Sequence, residues 1–214
     1  MNVIELDNYK GLGDYDLISN ANVYNFDNAV RASKFPMSVD VSKVNSEITK
    51  TVNSLAGTQP GTGHNNFLSG ILVAFDITMT NKMAVEWQRY HFQQIVSSQS
   101  TMHRITKMEL TRSYISYVNP RIVGIMLDLI GEYNDAIEKQ DKEKADKLYL
   151  EILYSNPSGM LLTQGIVTNY LQLKTIYNQR KNHRLPEWRL FCDWIKTLPY
   201  SEWITGNEDE YENL

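Results

Sequence analysis

Apolar residues alternate with a more mixed set from Ile71 to Met79, and this alternation constrains the fold more than any other feature of the chain. Ile71, Val73, Phe75, Ile77 and Met79 occupy every second position. Side chains of a β-strand point alternately to its two faces, so this spacing predicts a strand with one face in a hydrophobic core. We therefore expect a sheet that contains this segment.

Several other segments of the chain show helical spacing. Apolar residues recur at intervals of three or four over residues 41–55 and 121–138, which is typical of amphipathic helices. We also predict helices over 83–95 and 161–180, and a short edge strand within residues 1–6. The predicted fold class is α+β, with an antiparallel sheet packed with helices and a mainly helical C-terminal half.

The chain is long enough for one sizeable hydrophobic core. It has 214 residues, of which 42% are hydrophobic. We predict a single domain over residues 1–200 and an acidic C-terminal tail over 201–214. From Glu202 onward there are five acidic residues and no basic residue, and the rest of the chain has 20 acids against 21 bases. A nearly neutral body argues against a broad surface for nucleic acid.

The apolar stretches are too short for a membrane-spanning helix. Residues 70–75 form one of the longest of them, whereas a spanning helix needs about 20 apolar residues. The beginning of the sequence also lacks the basic and apolar regions of a signal peptide. We expect a cytoplasmic protein that does not associate with membranes.

Cys192 is the only cysteine in the sequence. One cysteine excludes an intrachain disulfide and any metal cage built from cysteines. The aromatic residues around it, in the segment 188–194, favour burial over a nucleophilic role. A metal enzyme that uses histidines is disfavoured because no HExxH or comparable spacing occurs.

All four histidines lie in short polar clusters that also contain arginine or glycine. They are His64, His91, His103 and His183. Histidine changes charge near neutral pH, and arginine presents a planar set of donors suited to phosphate or carboxylate. The clusters therefore predict a site for an anionic ligand, although surface helices also collect these residue types without any such role.

The last predicted long helix has a polar face. Asn169, Gln172, Gln179 and Arg180 recur near helical intervals. At 100° per residue, the eleven steps from Asn169 to Arg180 return to within about 20° of the same direction. This face would contact either solvent or a pocket, and its neutral amides favour the pocket.

Several segments, in their order along the chain, resemble segments of the flavin-dependent thymidylate synthases. Together they cover most of the chain. Residues 30–33 are similar to the early Arg-Ala segment of that family, and residues 63–67 are similar to its histidine loop. Residues 86–104 occupy the place of its Arg-His-Arg signature with the serine and arginine that follow. The order of its later proline, asparagine, arginine and tryptophan is kept by Pro157, Asn169, Arg180 and Trp188.

The resemblance implies an enzyme that methylates dUMP or a related pyrimidine nucleotide reductively. FAD would be the cofactor, with NADPH and methylene-tetrahydrofolate as co-substrates, and the enzyme would be a homotetramer with shared sites. Residues expected to contact the nucleotide are Glu86, Ser100, Arg104 and Arg180, and Ser100 and Arg180 are the expected catalytic residues. The residues expected to hold FAD are His64, Arg89, His91 and Asn169.

The sequence departs from the family pattern at several positions. Residues 89–91 read Arg-Tyr-His instead of Arg-His-Arg, and Leu153 and Leu171 stand where the family tends to have arginines. A hydrogen bond to a charged group contributes about 1.5 to 3 kcal/mol, so two lost cations require compensation, for which His103 and Lys174 are candidates. The departures leave open a second reading, a nucleotide-binding relative that has lost or changed the redox chemistry.

Overall fold

The computed structural model describes residues 3–59 and 61–206, in which an antiparallel sheet is packed with helices. The strands in this part of the chain are β1 (Val3–Glu5), β2 (Tyr9–Lys10), β3 (Asp16–Tyr24), β4 (Leu72–Thr80), β5 (Gln94–Ser98) and β6 (Leu161–Asn169). The helices are α1 (Phe26–Ala32), α2 (Lys50–Gly57), α3 (Asn81–Trp87), α4 (Thr101–Arg104), α5 (Pro120–Glu138), α6 (Lys142–Ser155), α7 (Tyr170–Arg180), α8 (Pro186–Ile195) and α9 (Glu202–Thr205).

The sheet has the strand order β1-β3-β4-β6-β5, and β2 pairs with the beginning of β3. The strand predicted at residues 71–79 is β4, which lies in the middle of the sheet. Its Ile77 pairs with Ile18 of β3 on one side and with Gln164 of β6 on the other. The alternating residues Val73, Phe75, Ile77 and Met79 are at most 3% exposed. The predicted strand and the predicted α+β class with an antiparallel sheet are therefore confirmed.

The helix predicted over residues 161–180 is wrong in its first half. Residues 161–169 form β6, and a helix begins only at Tyr170. β6 pairs with β4 along its whole length and with β5 on its other side. The polar residues Gln164 and Thr168 are buried on this strand. On a strand with one buried face, apolar residues are expected at every second position. In β6 two of the buried positions hold polar residues, so the hydropathy pattern does not predict the strand.

Two further predicted helices are shorter than expected. The helix predicted over 83–95 ends at Trp87, and residues 94–98 form the edge strand β5. The helix predicted over 41–55 is a 3₁₀ turn at Val41–Lys43 followed by α2. Thr49 starts α2 because its hydroxyl accepts a hydrogen bond from the Val52 N–H, at 3.3 Å. Neither predicted segment is therefore one continuous helix.

The helices α5 and α6 form an antiparallel hairpin beside the sheet, and α5 confirms the helix predicted over 121–138. The Asn119 side chain caps α5, where its Oδ1 accepts from the Arg121 N–H at 3.0 Å. Met126 and Ile152 are buried between this hairpin and the segment at residues 105–114. The hairpin thus has its own small apolar cluster.

The main core extends from β3 to α9. Trp203 and Ile204 of α9 are at most 2% exposed and pack against the same core as Leu17. The beginning of the segment predicted as an acidic tail is thus packed, and residues 207–214 of that segment lie outside the described residues. No helix in the described ranges is long and apolar enough to cross a membrane.

Candidate functional site

An ion pair between Glu86 and Arg180 joins the ends of α3 and α7. Arg180 Nη1 lies 2.9 Å from Glu86 Oε2. The two side chains are only 12% and 17% exposed, respectively. A largely buried pair requires further hydrogen bonds to offset the loss of hydration of both charges.

Arg180 has these further contacts. Its Nε donates to the Tyr90 hydroxyl at 2.7 Å, and that hydroxyl lies 3.2 Å from Gln179 Oε1. The guanidinium carbon lies 4.8 Å from the ring centroid of Trp188, so the charge also has a cation–π contact. These interactions use Nε and Nη1, and Nη2 has no hydrogen-bond partner among the described residues. The guanidinium is therefore fixed in place with a donor nitrogen left for a ligand.

The Glu86 carboxylate is held by two more donors. Trp188 Nε1 donates to Glu86 Oε2 at 3.2 Å, and His183 Nε2 lies 3.3 Å from the same oxygen. The Leu185 N–H donates to His183 Nδ1 at 3.2 Å, so Nδ1 acts as an acceptor and a neutral His183 carries its proton on Nε2. His183 can therefore donate to Glu86 without being charged.

Burial raises the pKa of Tyr90, while its hydrogen bond from Arg180 acts in the opposite direction. The phenol therefore remains protonated at neutral pH. As a result it accepts from Arg180 Nε with its oxygen and donates its own proton towards Gln179.

A cavity of about 320 Å³ lies beside this cluster. Arg89 and His91 are exposed at it, and Gln172 is buried. The Phe92 N–H donates to Gln172 Oε1 at 3.1 Å, and Thr168 Oγ1 donates to the Phe92 carbonyl at 3.1 Å. These bonds fix the segment after α3 against β6 and α7. The cavity is lined by Arg89, Tyr90, His91, Phe92, Gln172, Thr175, Gln179 and Arg180.

The structure thus brings together four of the eight site residues predicted from sequence. Arg89, His91 and Arg180 line the cavity, and Glu86 is paired with Arg180. Asn169 caps α7, because its Oδ1 accepts from the Gln172 N–H at 2.9 Å. The predicted polar face therefore does contribute to a pocket, through Gln172, Gln179 and Arg180, whereas the Asn169 side chain is used within the chain.

The other three predicted residues lie elsewhere. His64 is exposed on the loop after α2, Ser100 precedes α4, and Arg104 is exposed at the end of α4. None of them lines the cavity beside Arg180. The α4 segment is tied to the hairpin instead, since the Tyr149 hydroxyl donates to the Met102 carbonyl at 2.6 Å.

Lys174 does not replace a missing phosphate-binding arginine. Its side chain is buried, and its Nζ donates to the carbonyls of Ala56 and Thr58 at 2.7 and 3.0 Å. Burial also lowers its pKa. Lys174 therefore binds the C-terminal carbonyls of α2 and has no free surface for an anion.

Sequence reasoning missed the role of Tyr90. In the sequence, Tyr90 is only a departure from the Arg-His-Arg pattern, yet it contacts Arg180 through both its hydroxyl and its ring. The contact of His183 with Glu86 was not predicted either, although its position in an arginine-rich cluster indicated a site for an anion.

Within the described residues, no group of three or more His, Cys, Asp or Glu side chains is placed to hold a metal ion.

Chemically, the cluster is suited to binding an anion. Arg89, His91 and Arg180 present donors to one cavity, and the position of Arg180 is set in advance by Glu86 and Tyr90. A planar guanidinium recognises phosphate or carboxylate through two parallel hydrogen bonds. Cys192 is excluded as a nucleophile for this site, because it is buried and burial raises its pKa to about 12.

No protein-family model matches the sequence, and no curated protein is significantly similar to it. Solved structures do match. The crystal structure of flavin-dependent thymidylate synthase ThyX from Helicobacter pylori, complexed with FAD and dUMP, has a TM-score of 0.63 at 14% identity and covers 98% of this chain and 99% of that one. A second structure of that protein with FAD and dUMP, at the same TM-score and identity, covers 87% of this chain and 94% of that chain. The described part of the chain therefore has the fold seen in a flavin-dependent thymidylate synthase.

Proposed function

We propose that the chain is a flavin-dependent thymidylate synthase-like enzyme that methylates dUMP or a related pyrimidine nucleotide reductively. FAD is the proposed cofactor, and NADPH and methylene-tetrahydrofolate are the proposed co-substrates. One observation carries the proposal. The fold matches, over 98% of the chain, a protein whose structure contains FAD and dUMP. The Arg180 cluster adds a charged cavity of the kind that these ligands need.

The residues at the cavity fit part of an FAD molecule. Arg89 and His91 can donate to a pyrophosphate or to the acceptor atoms of a flavin ring. A volume of about 320 Å³ is at the lower end for small-molecule sites, so it would hold one portion of a dinucleotide. The remaining portion would need other surface, for which His64 and Asn169 are the proposed contacts.

The proposed nucleotide contacts also need more than one surface. Arg180 and Glu86 lie in the cluster, whereas Ser100 and Arg104 are outside the cavity. This separation supports the homotetramer proposed from the resemblance, because Ser100 and Arg104 of one subunit can then complete the site of another. Chemical crosslinking and sedimentation at several protein concentrations would test it, and a monomer under all conditions would refute it.

FAD, when bound, supplies the hydride chemistry. The protein's part is to hold the reactants and to balance charge. Arg180 is fixed by Glu86, Tyr90 and Trp188, so its Nη2 needs little reorganisation to donate to a phosphate. The neutral Tyr90 keeps the guanidinium orientation independent of pH near neutrality. Ser100 would add a hydroxyl donor to the nucleotide.

The nucleotide contact is tested by calorimetry with dUMP, in the presence and absence of FAD. Arg180→Lys keeps the positive charge but loses the planar donor set, so we expect clearly weaker dUMP binding. Arg121→Lys, on the exposed face at the start of α5, is the matched control and should bind as the unchanged protein does. No dUMP binding by folded protein in either condition would refute the synthase proposal.

The flavin contact has a separate test. Purified protein should be yellow, with the absorption bands of a bound flavin. Arg89→Ala should weaken FAD binding by about 1 kcal/mol or more, because a charge-assisted hydrogen bond is lost. Arg112→Ala, another exposed arginine, serves as the control. An unchanged FAD titration for Arg89→Ala and His91→Ala together would remove both residues from the proposed site.

One observation favours a second candidate, a nucleotide-binding relative without the redox reaction. Leu153 packs against the hairpin cluster and Leu171 packs against the main core, at the two positions where arginines were expected from the resemblance. Both positions are therefore used for packing and supply no charge. Protein that binds dUMP but neither FAD nor NADPH would support this candidate over the synthase.

A further inference from the structure

A second and larger cavity lies on another part of the molecule. It has a volume of about 700 Å³ and lies between the start of α3, the turn at residues 158–159, the segment 115–118 and the start of α8. It shares no lining residue with the cavity beside Arg180. The proposed synthase site therefore does not account for it.

The walls of this cavity are joined by backbone hydrogen bonds. The Lys82 N–H donates to the Ser158 carbonyl at 3.0 Å, and the Ile115 N–H donates to the Gly159 carbonyl at 3.0 Å. These bonds connect three of the four segments that form the cavity. The cavity is thus held open by the fold itself, which reduces the cost of ordering it around a ligand.

Three cations line the cavity. Arg189 Nη1 donates to the carbonyls of His183 and Arg184, at 2.6 and 3.1 Å, so its guanidinium is fixed. The side chains of Lys82 and Arg184 have no hydrogen-bond or ion-pair partner within the described ranges. They are therefore available to an anion that enters the cavity.

The carboxylate at the cavity does not neutralise these cations. Glu187 is 3% exposed, and its two oxygens accept hydrogen bonds from the Thr80 N–H and hydroxyl, at 2.9 and 3.0 Å. Its acceptors are thus used to hold the start of α3. The lining therefore has three cationic side chains and one carboxylate, so the cavity has an excess of positive charge.

The rest of the lining is largely apolar. Ile115 is buried, while Val118, Leu185 and Pro186 are half-buried, and Tyr117 at the cavity is 75% exposed. Such a surface takes up a flat apolar group, for which an exposed tyrosine ring offers a stacking partner. The lining thus combines a cationic side with an apolar side.

We propose that this cavity binds a small molecule in which a phosphate or carboxylate group is attached to a flat apolar body. A volume of about 700 Å³ lies well within the range of small-molecule sites. The cations select the anionic group, and the apolar wall selects the body to which it is attached. The site is additional to the proposed binding of FAD and dUMP.

The test uses 1-naphthyl phosphate and 1-naphthoate as probes, titrated by calorimetry into the 214-residue chain. Inorganic phosphate and 1-naphthol represent the two halves of the ligand. At least one naphthyl anion should bind ten-fold or more tightly than either half, and the comparison of the two anions identifies phosphate or carboxylate as the preferred group. Equal affinity for 1-naphthol would refute the role of the cations.

Variants locate the binding. Lys82→Gln combined with Arg184→Gln should weaken the preferred anion at least ten-fold. The control, Lys139→Gln combined with Lys147→Gln, makes the same change in net charge on exposed residues of the hairpin and should have no effect. Equal weakening by both pairs would overturn the proposal, because only overall charge would then matter.

Two further measurements separate this site from the proposed synthase site. Tyr117→Ala should weaken the naphthyl anion but not inorganic phosphate, and an equal loss for both would refute the stacking role of the ring. Saturating dUMP or FAD should leave the naphthyl anion bound. Its displacement by either would show that the cavity belongs to the nucleotide site, and the proposal of an additional ligand would fail.

Discussion

Removal of the Arg180 charge should destabilise the protein through the carboxylate that it leaves behind. In Arg180→Met the side chain keeps its approximate length but no longer pairs with Glu86, which is 17% exposed. Loss of one partner of a buried ion pair costs about 3 to 5 kcal/mol. Trp188 and His183 still donate to Glu86, so we expect the lower end, about 3 kcal/mol.

A double-mutant cycle isolates the pair itself. Glu86→Gln removes the other charge but keeps an oxygen that can accept from Trp188, so its cost should be about 2 kcal/mol. With both charges removed, no unpaired charge remains. The double variant should therefore lose about 1 to 2 kcal/mol less than the two single losses added together, within the range measured for residues in contact.

Urea denaturation at one fixed protein concentration measures these values, because the midpoint and the slope give the free energy of unfolding. The exposed pair of Arg112 and Glu109, with side chains 79% and 67% exposed, provides the control. Arg112→Met should change stability by less than about 1 kcal/mol. If Arg180→Met costs no more than Arg112→Met, then Arg180 is not held as described, and the argument for a preset guanidinium is refuted.

Three further predictions concern residues outside this cluster. Burial raises the pKa of Cys192 to about 12, so its thiol should not react with a thiol reagent at pH 8 until urea unfolds the protein. Because folding raises this pKa, the contribution of the thiol to stability should also fall as the pH increases from about 9 towards 12. Gly131→Ala should raise stability by about 0.5 to 1 kcal/mol, since Gly131 lies in α5 with open space around it. Gly159→Ala should lower stability, because the new methyl group overlaps Val118. Urea midpoints of both variants equal to that of the unchanged protein would contradict both predictions. Lys174→Met should cost about 1 to 3 kcal/mol in urea denaturation, because the carbonyls of Ala56 and Thr58 lose their donor, and a neutral result would mean that water replaces it.

The sequence predicted β4 because its buried face is uniformly apolar. It did not predict β6, where Gln164 and Thr168 are buried and the β-strand signal is lost. β6 pairs with β4 and β5 on its two sides, and the Thr168 hydroxyl donates to the Phe92 carbonyl at 3.1 Å, so its position depends on tertiary contacts. The spacing of apolar residues within one segment does not show which strands will pair with it.

The same limit applies to the candidate site. Arg89, His91 and Arg180 were predicted, because their residue types and order carry the family resemblance. Tyr90 was not, since its contact with Arg180 depends on the end of α7 reaching the segment after α3. The helix predicted over 161–180 puts Asn169 on a helical face, whereas in the structure Asn169 precedes α7 and caps it. The ligand-binding roles proposed for all eight residues, Asn169 included, stay predictions.

The central position of β6 has a consequence for the order in which the protein folds. The α5–α6 hairpin joins residues that are close in sequence, and such contacts form early and fast. The sheet joins distant ones, with Ile18 paired to Ile77 and Phe75 paired to Ile166. During synthesis, β4 therefore has one edge without a partner until β6 has left the ribosome. In that interval the edge of β4 is available for pairing with another chain, and it is the part of the nascent protein where we expect chaperones to be needed most.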